Sequence, residues 1–272
     1  MAQTVNGTPL TRHGSRVPAT PTPVRPGPSL VKPVPAAAAR RPAPQPIATP
    51  APTIQTMIVC LPDDVPQEAL ATGQLATHFG VPGALTARFW AAPGLRRWQR
   101  HHLIGLRKGA PALCAGGRVD LLDLVGMRHA AAVGAGIRHQ IWQQAVHGTR
   151  PATGWPAFEA RHLANPDRYP HGSAVADFHA QPRVQAMRLH AAANPGPGQP
   201  GIGELEMYQA GALAYQHYSA ATAVVGDAML TADGRELTPA SDALADRTTY
   251  IEQALRHLAT LAPDQRLIAV AL

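Results

Sequence analysis

Thirteen prolines and no acidic residue fall in the first 53 positions, and this divides the chain into two kinds of polymer. Proline fixes φ and removes a backbone donor. The repeated Pro-x-Pro steps (Pro21 and Pro23, Pro26 and Pro28, Pro33 and Pro35, Pro42, Pro44 and Pro46) favour extended polyproline II rather than a packed core. Residues 1–53 are therefore expected to form a disordered Pro/Ala/Arg-rich tail. Residues 54–272 are expected to form a single compact, helix-rich α+β domain. The Pro/Gly stretch at 194–201 is the place where an internal boundary would fall.

The charge follows the same division. Arg12, Arg16, Arg25, Lys32, Arg40 and Arg41 lie in the tail and account for most of the net charge of +7, so the body is close to neutral. A near-neutral body does not suggest a nucleic-acid surface. Its one dense basic patch, Arg96, Arg97, Arg100, His101, His102, Arg107 and Lys108 around Trp98, reads as solvated charge. Two cysteines are too few for a disulfide scaffold. No stretch of 18 apolar residues is present, so no transmembrane segment is expected. The N-terminus lacks the apolar core of a secretory signal peptide. The expected location is the cytoplasm, or the outside by a route that needs no such peptide, which suits a polar N-terminus.

Periodicity places the elements. Ile54–Leu61 reads as a buried strand closed by Pro62, and 266–272 as a terminal strand. A helix of about 14 residues is expected from Pro66 to Phe79, and two short helices either side of Pro93-Gly94. A long helical pattern runs over 119–146, in one piece or two, because Gly126, Gly134 and Gly136 weaken it. Residues 173–193 read as helical with a break at Pro182, and 204–218 as one amphipathic helix. Thr222–Val225 reads as the opening of a strand, and 240–261 as the last helix, with Pro239 in its first turn.

Cys114 is the candidate nucleophile. It follows a break and precedes the long helix, where backbone amides and the dipole would stabilise a thiolate. His217 and then Asp233 follow in chain order. This Cys–His–Asp order resembles the papain-like cysteine peptidases that bacteria inject into host cells. The resemblance covers roughly 110–272. It implies Cys114 as nucleophile, His217 as base and then acid, and Asp233 orienting His217. It also implies a secreted, virulence-type effector or toxin-like hydrolase with a host protein as substrate or partner, and a secretion chaperone as a further partner.

Two rivals stand beside it. One is a non-enzymatic, helical host-interaction or adaptor protein. The other resembles ADP-ribosyltransferases, through Glu204-Leu205-Glu206 and His147-Gly148-Thr149, and requires Glu206 and His147 to line one cleft. No cofactor is expected. The pairs His129 and His139, and His171 and His179, lack the spacing of a zinc-binding helix, so no metal is expected.

Overall fold

The computed structural model describes residues 53–62, 65–70, 74–194 and 199–272. The expected disordered tail lies outside them, except for Thr53. The described residues form a mixed, helix-rich α+β domain. Its centre is a seven-stranded sheet in which β9 (Arg266–Ala271) pairs antiparallel with β1 (Thr56–Leu61). The other edge of β9 carries β2 (Ala84–Leu85) and β6 (Gly116–Arg118), and β6 in turn carries β4 (Leu103–Ile104). Beyond β1 lie β7 (Ala228–Leu230), in parallel register, and β8 (Glu236–Leu237). Two further short strands, β3 (Phe89–Trp90) and β5 (Leu113–Cys114), pair with each other.

The apolar runs of β1 and β9 have no polar side because both faces of the sheet are covered. Ile58, Cys60, Leu267 and Ala269 point into one core, and Met57, Val59, Ile268 and Val270 into another. The first core is closed by helices α2 (Leu124–Ala145), α7 (Ala212–Val225) and α8 (Leu244–Thr260). The second is closed by Leu70, by Leu75 from α1 (Gln74–Phe79) and by Val81.

A third core is wholly helical. It gathers the far ends of α2 and α7 with α3 (Trp155–Ala164), α4 (His171–Ala180), α5 (Pro182–Ala193) and α6 (Ile202–Ala210). Its filling is largely aromatic: Trp142, Trp155, Phe178, Tyr208 and Tyr215 are all buried. Helices α2 and α7 run through both the sheet half and the helical half. Met127 and Val224 lie in the first core, Ala135 and Tyr215 in the third. Helices α5 and α6, on either side of 194–201, share that third core.

Several local expectations are corrected. The expected single helix over 66–79 is a 3-10 turn at Gln67–Leu70 followed by α1. The first of the short helices around Pro93-Gly94 is replaced by β3, and the second is a 3-10 turn at Arg97–His102. The amphipathic segment from 204 is broken into α6 and α7 at Gly211, whose φ of 113° few other residues adopt. Thr222–Val225 closes α7 instead of opening a strand. No helix of the described residues is long and apolar enough to cross a membrane.

Candidate functional site

Cys114 does not stand at a helix N-terminus. It lies in β5 with no exposed surface, among Phe89, Leu103, Leu121 and Leu122. Its Sγ faces the carbonyl of Phe89 at 3.6 Å. Burial pushes the thiol up to about 11, against a smaller opposing pull from the Gly116 backbone. Such a group stays a thiol at neutral pH, whereas an activated nucleophile needs its pKa depressed. Cys60, in β1, is buried too, and burial raises it to about 12.

The other two members of the expected triad lie elsewhere. His217 is exposed in the middle of α7, inside a helix and not at the start of a strand. Asp233 is exposed in the turn between β7 and β8. Its carboxylate accepts from the Thr231 hydroxyl. That bond first, then Arg235 and His257, holds it below the ordinary carboxylate range. The charges beside Asp233 are thus Arg235 and then His257, not His217, and the nucleophile is sealed in the core.

The motif pair Glu206 and His147 is not assembled either. Glu206 lies on α6, half-buried, and its Oε1 accepts the amide of Trp155 at 2.9 Å. It supports the first turn of α3, which has no capping side chain of its own. Gly154 leaves room for this, since a Cβ there would lie 3.1 Å from Glu206 Oε2. Burial raises the Glu206 carboxyl, and the Trp155 amide lowers it in part. His147 is exposed after α2.

The chemistry gathers instead in an open cleft of about 810 Å³ where the helical half meets the sheet half. Helix α7 supplies Tyr218, Ser219 and Thr222, and α3 supplies Trp155, Glu159 and His162. The three α3 residues are spaced i, i+4, i+7, which puts them on one helix face. Nδ1 of His162 lies 2.9 Å from the carbonyl oxygen of Tyr169. A carbonyl only accepts, so Nδ1 carries a proton, and in the neutral ring the lone pair is on Nε2. The ring of His171, at the start of α4, is 5.6 Å from that of His162 and 5.7 Å from that of Trp155. Glu159 has no hydrogen-bond or ion-pair partner among the described residues.

The opposite end of the cleft carries Arg88, Asp227, Arg247 and Tyr250. Asp227 Oδ2 accepts the amides of Gln55 and Thr56 at 3.1 and 3.0 Å and so fixes the entry to β1. Arg247 donates to Asp242 at 2.6 Å and lies 3.9 Å from Asp227. Tyr250 donates to the Val225 carbonyl at 2.6 Å, and burial raises its hydroxyl well above the ordinary range. Burial also raises the Tyr218 hydroxyl.

Of the residues lining the cleft, sequence reasoning singled out only His171, in a histidine pair, and Glu204, in the Glu-x-Glu motif. The spacing Trp155, Glu159, His162 directly after a Gly N-cap was the available signal for α3. Arg88 carried none, because its importance comes from where β2 and β3 place it. Among the described residues no group of three His, Cys, Asp or Glu side chains is placed to hold a metal ion. His171 meets His162 rather than His179. The patch from Arg96 to His102 lies on or next to the surface, with Trp98 60% exposed. Comparison with protein-family models, with curated proteins and with solved structures returned no match.

Proposed function

We propose that the folded body is a hydrolytic or transfer enzyme working by general acid–base chemistry in the α3–α7 cleft, and that Cys114 takes no part. The observation that carries this reading is His162, with Nδ1 fixed on the Tyr169 carbonyl and Nε2 left as a base beside His171 and the unpartnered Glu159. In hydrolysis, Nε2 takes a proton from the attacking water as its oxygen bonds to the acyl or phosphoryl centre. The same proton then passes to the leaving group as its bond breaks. Glu159, three residues away on the same helix face, stabilises the imidazolium formed between these steps.

The test is a panel of chromogenic esters and phosphodiesters assayed with wild type, His162→Gln and Cys114→Ala. We expect His162→Gln to lose about 10²-fold or more and Cys114→Ala to retain the activity. Activity that follows Cys114 would sink the reading and restore the peptidase.

The secreted effector or toxin-like setting is part of the same proposal. It is supported by the acid-free, proline-rich first 53 residues. Fusing residues 1–53 to a reporter enzyme and finding no export would remove that support. A second reading, the interaction or adaptor protein, is favoured by one observation: Val133, Ile137 and Ile141 form an apolar row along α2 that is 42–54% exposed.

A further inference from the structure

We infer that the Arg88 end of this cleft is a subsite for a ligand carboxylate, an inference that rests on reading the cleft as a ligand site. The cleft holds three guanidinium groups: Arg88, Arg138 and Arg247. One has a carboxylate partner, and another a hydroxyl that relays to a carboxylate. Arg247 pairs with Asp242 at 2.6 Å. Arg138 donates through Nε to the Tyr215 hydroxyl at 3.1 Å, and that hydroxyl donates to Glu204 at 2.6 Å.

Arg88 differs from both. Its Nη2 donates to the Thr222 carbonyl at 2.7 Å, in the last turn of α7, where a cation suits the helix dipole. Its Nε is buried and has no partner among the described residues, which leaves the outer nitrogens to meet a ligand. The nearest carboxylate named around it, Asp227, spends Oδ2 on the amides of Gln55 and Thr56 and faces Arg247 with Oδ1. Arg88 is thus a half-buried cation without a hydrogen-bonded anionic partner; burial disfavours its charge, and the attraction of Asp227 offsets this only in part. Such a group is costly to leave unmatched.

The same lining holds two hydroxyls, of Tyr218 and Ser219, with no acceptor among the described residues. Ala223 and Ile251 supply apolar surface beside them. One unmatched positive charge suits a monoanion. A second negative charge on the ligand would face Asp227, and this selects a carboxylate over a phosphate dianion. The ligand is therefore a molecule with an apolar body and a carboxylate, with its reacting bond placed toward His162.

The test uses three probes with one ring: benzoate, the neutral isostere benzamide, and phenyl phosphate. Binding to the full chain is measured by calorimetry for wild type, Arg88→Gln, Arg88→Lys and the control Leu189→Ala. In parallel, the Arg88 Nε–H resonance is followed by nitrogen NMR in the wild type, a readout that needs no variant to fold. We expect benzoate to bind about tenfold or more tighter than benzamide, phenyl phosphate no tighter than benzoate, and the Arg88 resonance to shift with benzoate alone. Arg88→Gln should erase the benzoate preference, Arg88→Lys should keep part of it, and Leu189→Ala, an exposed side chain of α5 outside the cleft, should leave it unchanged.

A wild-type benzoate-to-benzamide ratio near one, a tighter phenyl phosphate, or an unmoved Arg88 resonance would each overturn the subsite. So would a folded Arg88→Gln that keeps the preference. The two proposals fail separately. Loss of the preference in Arg88→Gln with hydrolysis indifferent to His162 would leave the subsite standing and remove the catalytic reading.

Discussion

The sheet half and the helical half of this domain treat reactive side chains in opposite ways. In the sheet half both faces are covered, and both cysteines are sealed among apolar neighbours. Backbones approach closely there. A Cβ on Gly116 would run into the Leu267 carbonyl and lie 2.8 Å from Ile268 Cα. In the helical half the aromatic core is satisfied along one face of each helix. On α3, the face that buries Trp155 also carries Glu159 and His162 into the cleft. A nucleophilic residue type says little about function until the layer that holds it is known. Cys114 has the more reactive side chain, and His162 the more useful position.

The largest expected effect tests whether the two halves are one cooperative unit. Phe178 is fully buried and stacks edge-on against Trp155 and Phe158. Phe178→Ala should cost ~3–5 kcal/mol. Because α2 and α7 run through both cores, thermal unfolding should remain a single transition at lower temperature. Two separate transitions would break the picture of halves tied by shared helices.

Next is Gly116→Ala, which places a methyl group against β9. It should cost ~1–3 kcal/mol through displaced backbone, read as a lowered denaturant midpoint. An unchanged midpoint would mean that the β6–β9 contact is looser than its geometry indicates.

The thiols give a pH test. An unfolded thiol ionises near about 8.5, while burial holds Cys114 up to about 11 and Cys60 up to about 12. Above about 8.5 the unfolded chain therefore carries fewer protons than the folded one, and stability falls as pH rises toward 11. The double variant Cys60→Ala, Cys114→Ala should be less stable at neutral pH but show a shallower alkaline decline. In the wild type, thiol reagents should label Cys114 at pH 7 only after unfolding. Rapid labelling of the folded chain at pH 7 would reverse the contrast between the halves.

The smallest effect sharpens the helical side. Glu206→Gln keeps an acceptor for the Trp155 amide but removes the charge that strengthens it. A loss of ~0.5–1 kcal/mol is expected, with α3 still formed by circular dichroism. A loss several times larger would mean that Glu206 organises the cleft and does not merely support one helix end.

Long apolar runs made part of this fold legible. The strands expected at 54–61 and 266–272 are β1 and β9, because a run buried on both faces needs no partner information to be recognised. The break at Pro182 separates α4 from α5 as its missing donor requires. The helical pattern over 119–146 is α2 despite its three internal glycines. One of them has a packing reason: a Cβ at Gly136 would lie 2.9 Å from Gln216 Nε2 on α7. Strands β2 to β6 were not legible. Each has only two or three residues, and their pairing with other strands, not local periodicity, makes them strands. That is why Cys114, two residues before a Gly-Gly pair, reads as a helix entry in sequence and sits in a strand in space.

The sequence by itself determined the division between a proline-rich segment and an α+β body, the two central strands, and most helices. These depend on local spacing and on side-chain and backbone preferences that neighbouring residues express together. The tertiary structure decided which polar residues can act. The cleft draws on Arg88, Glu159, His162, Tyr218 and Arg247, distributed over four separate segments. Whether such groups meet, and whether a charge among them is left unmatched, depends on packing between elements that no local pattern encodes.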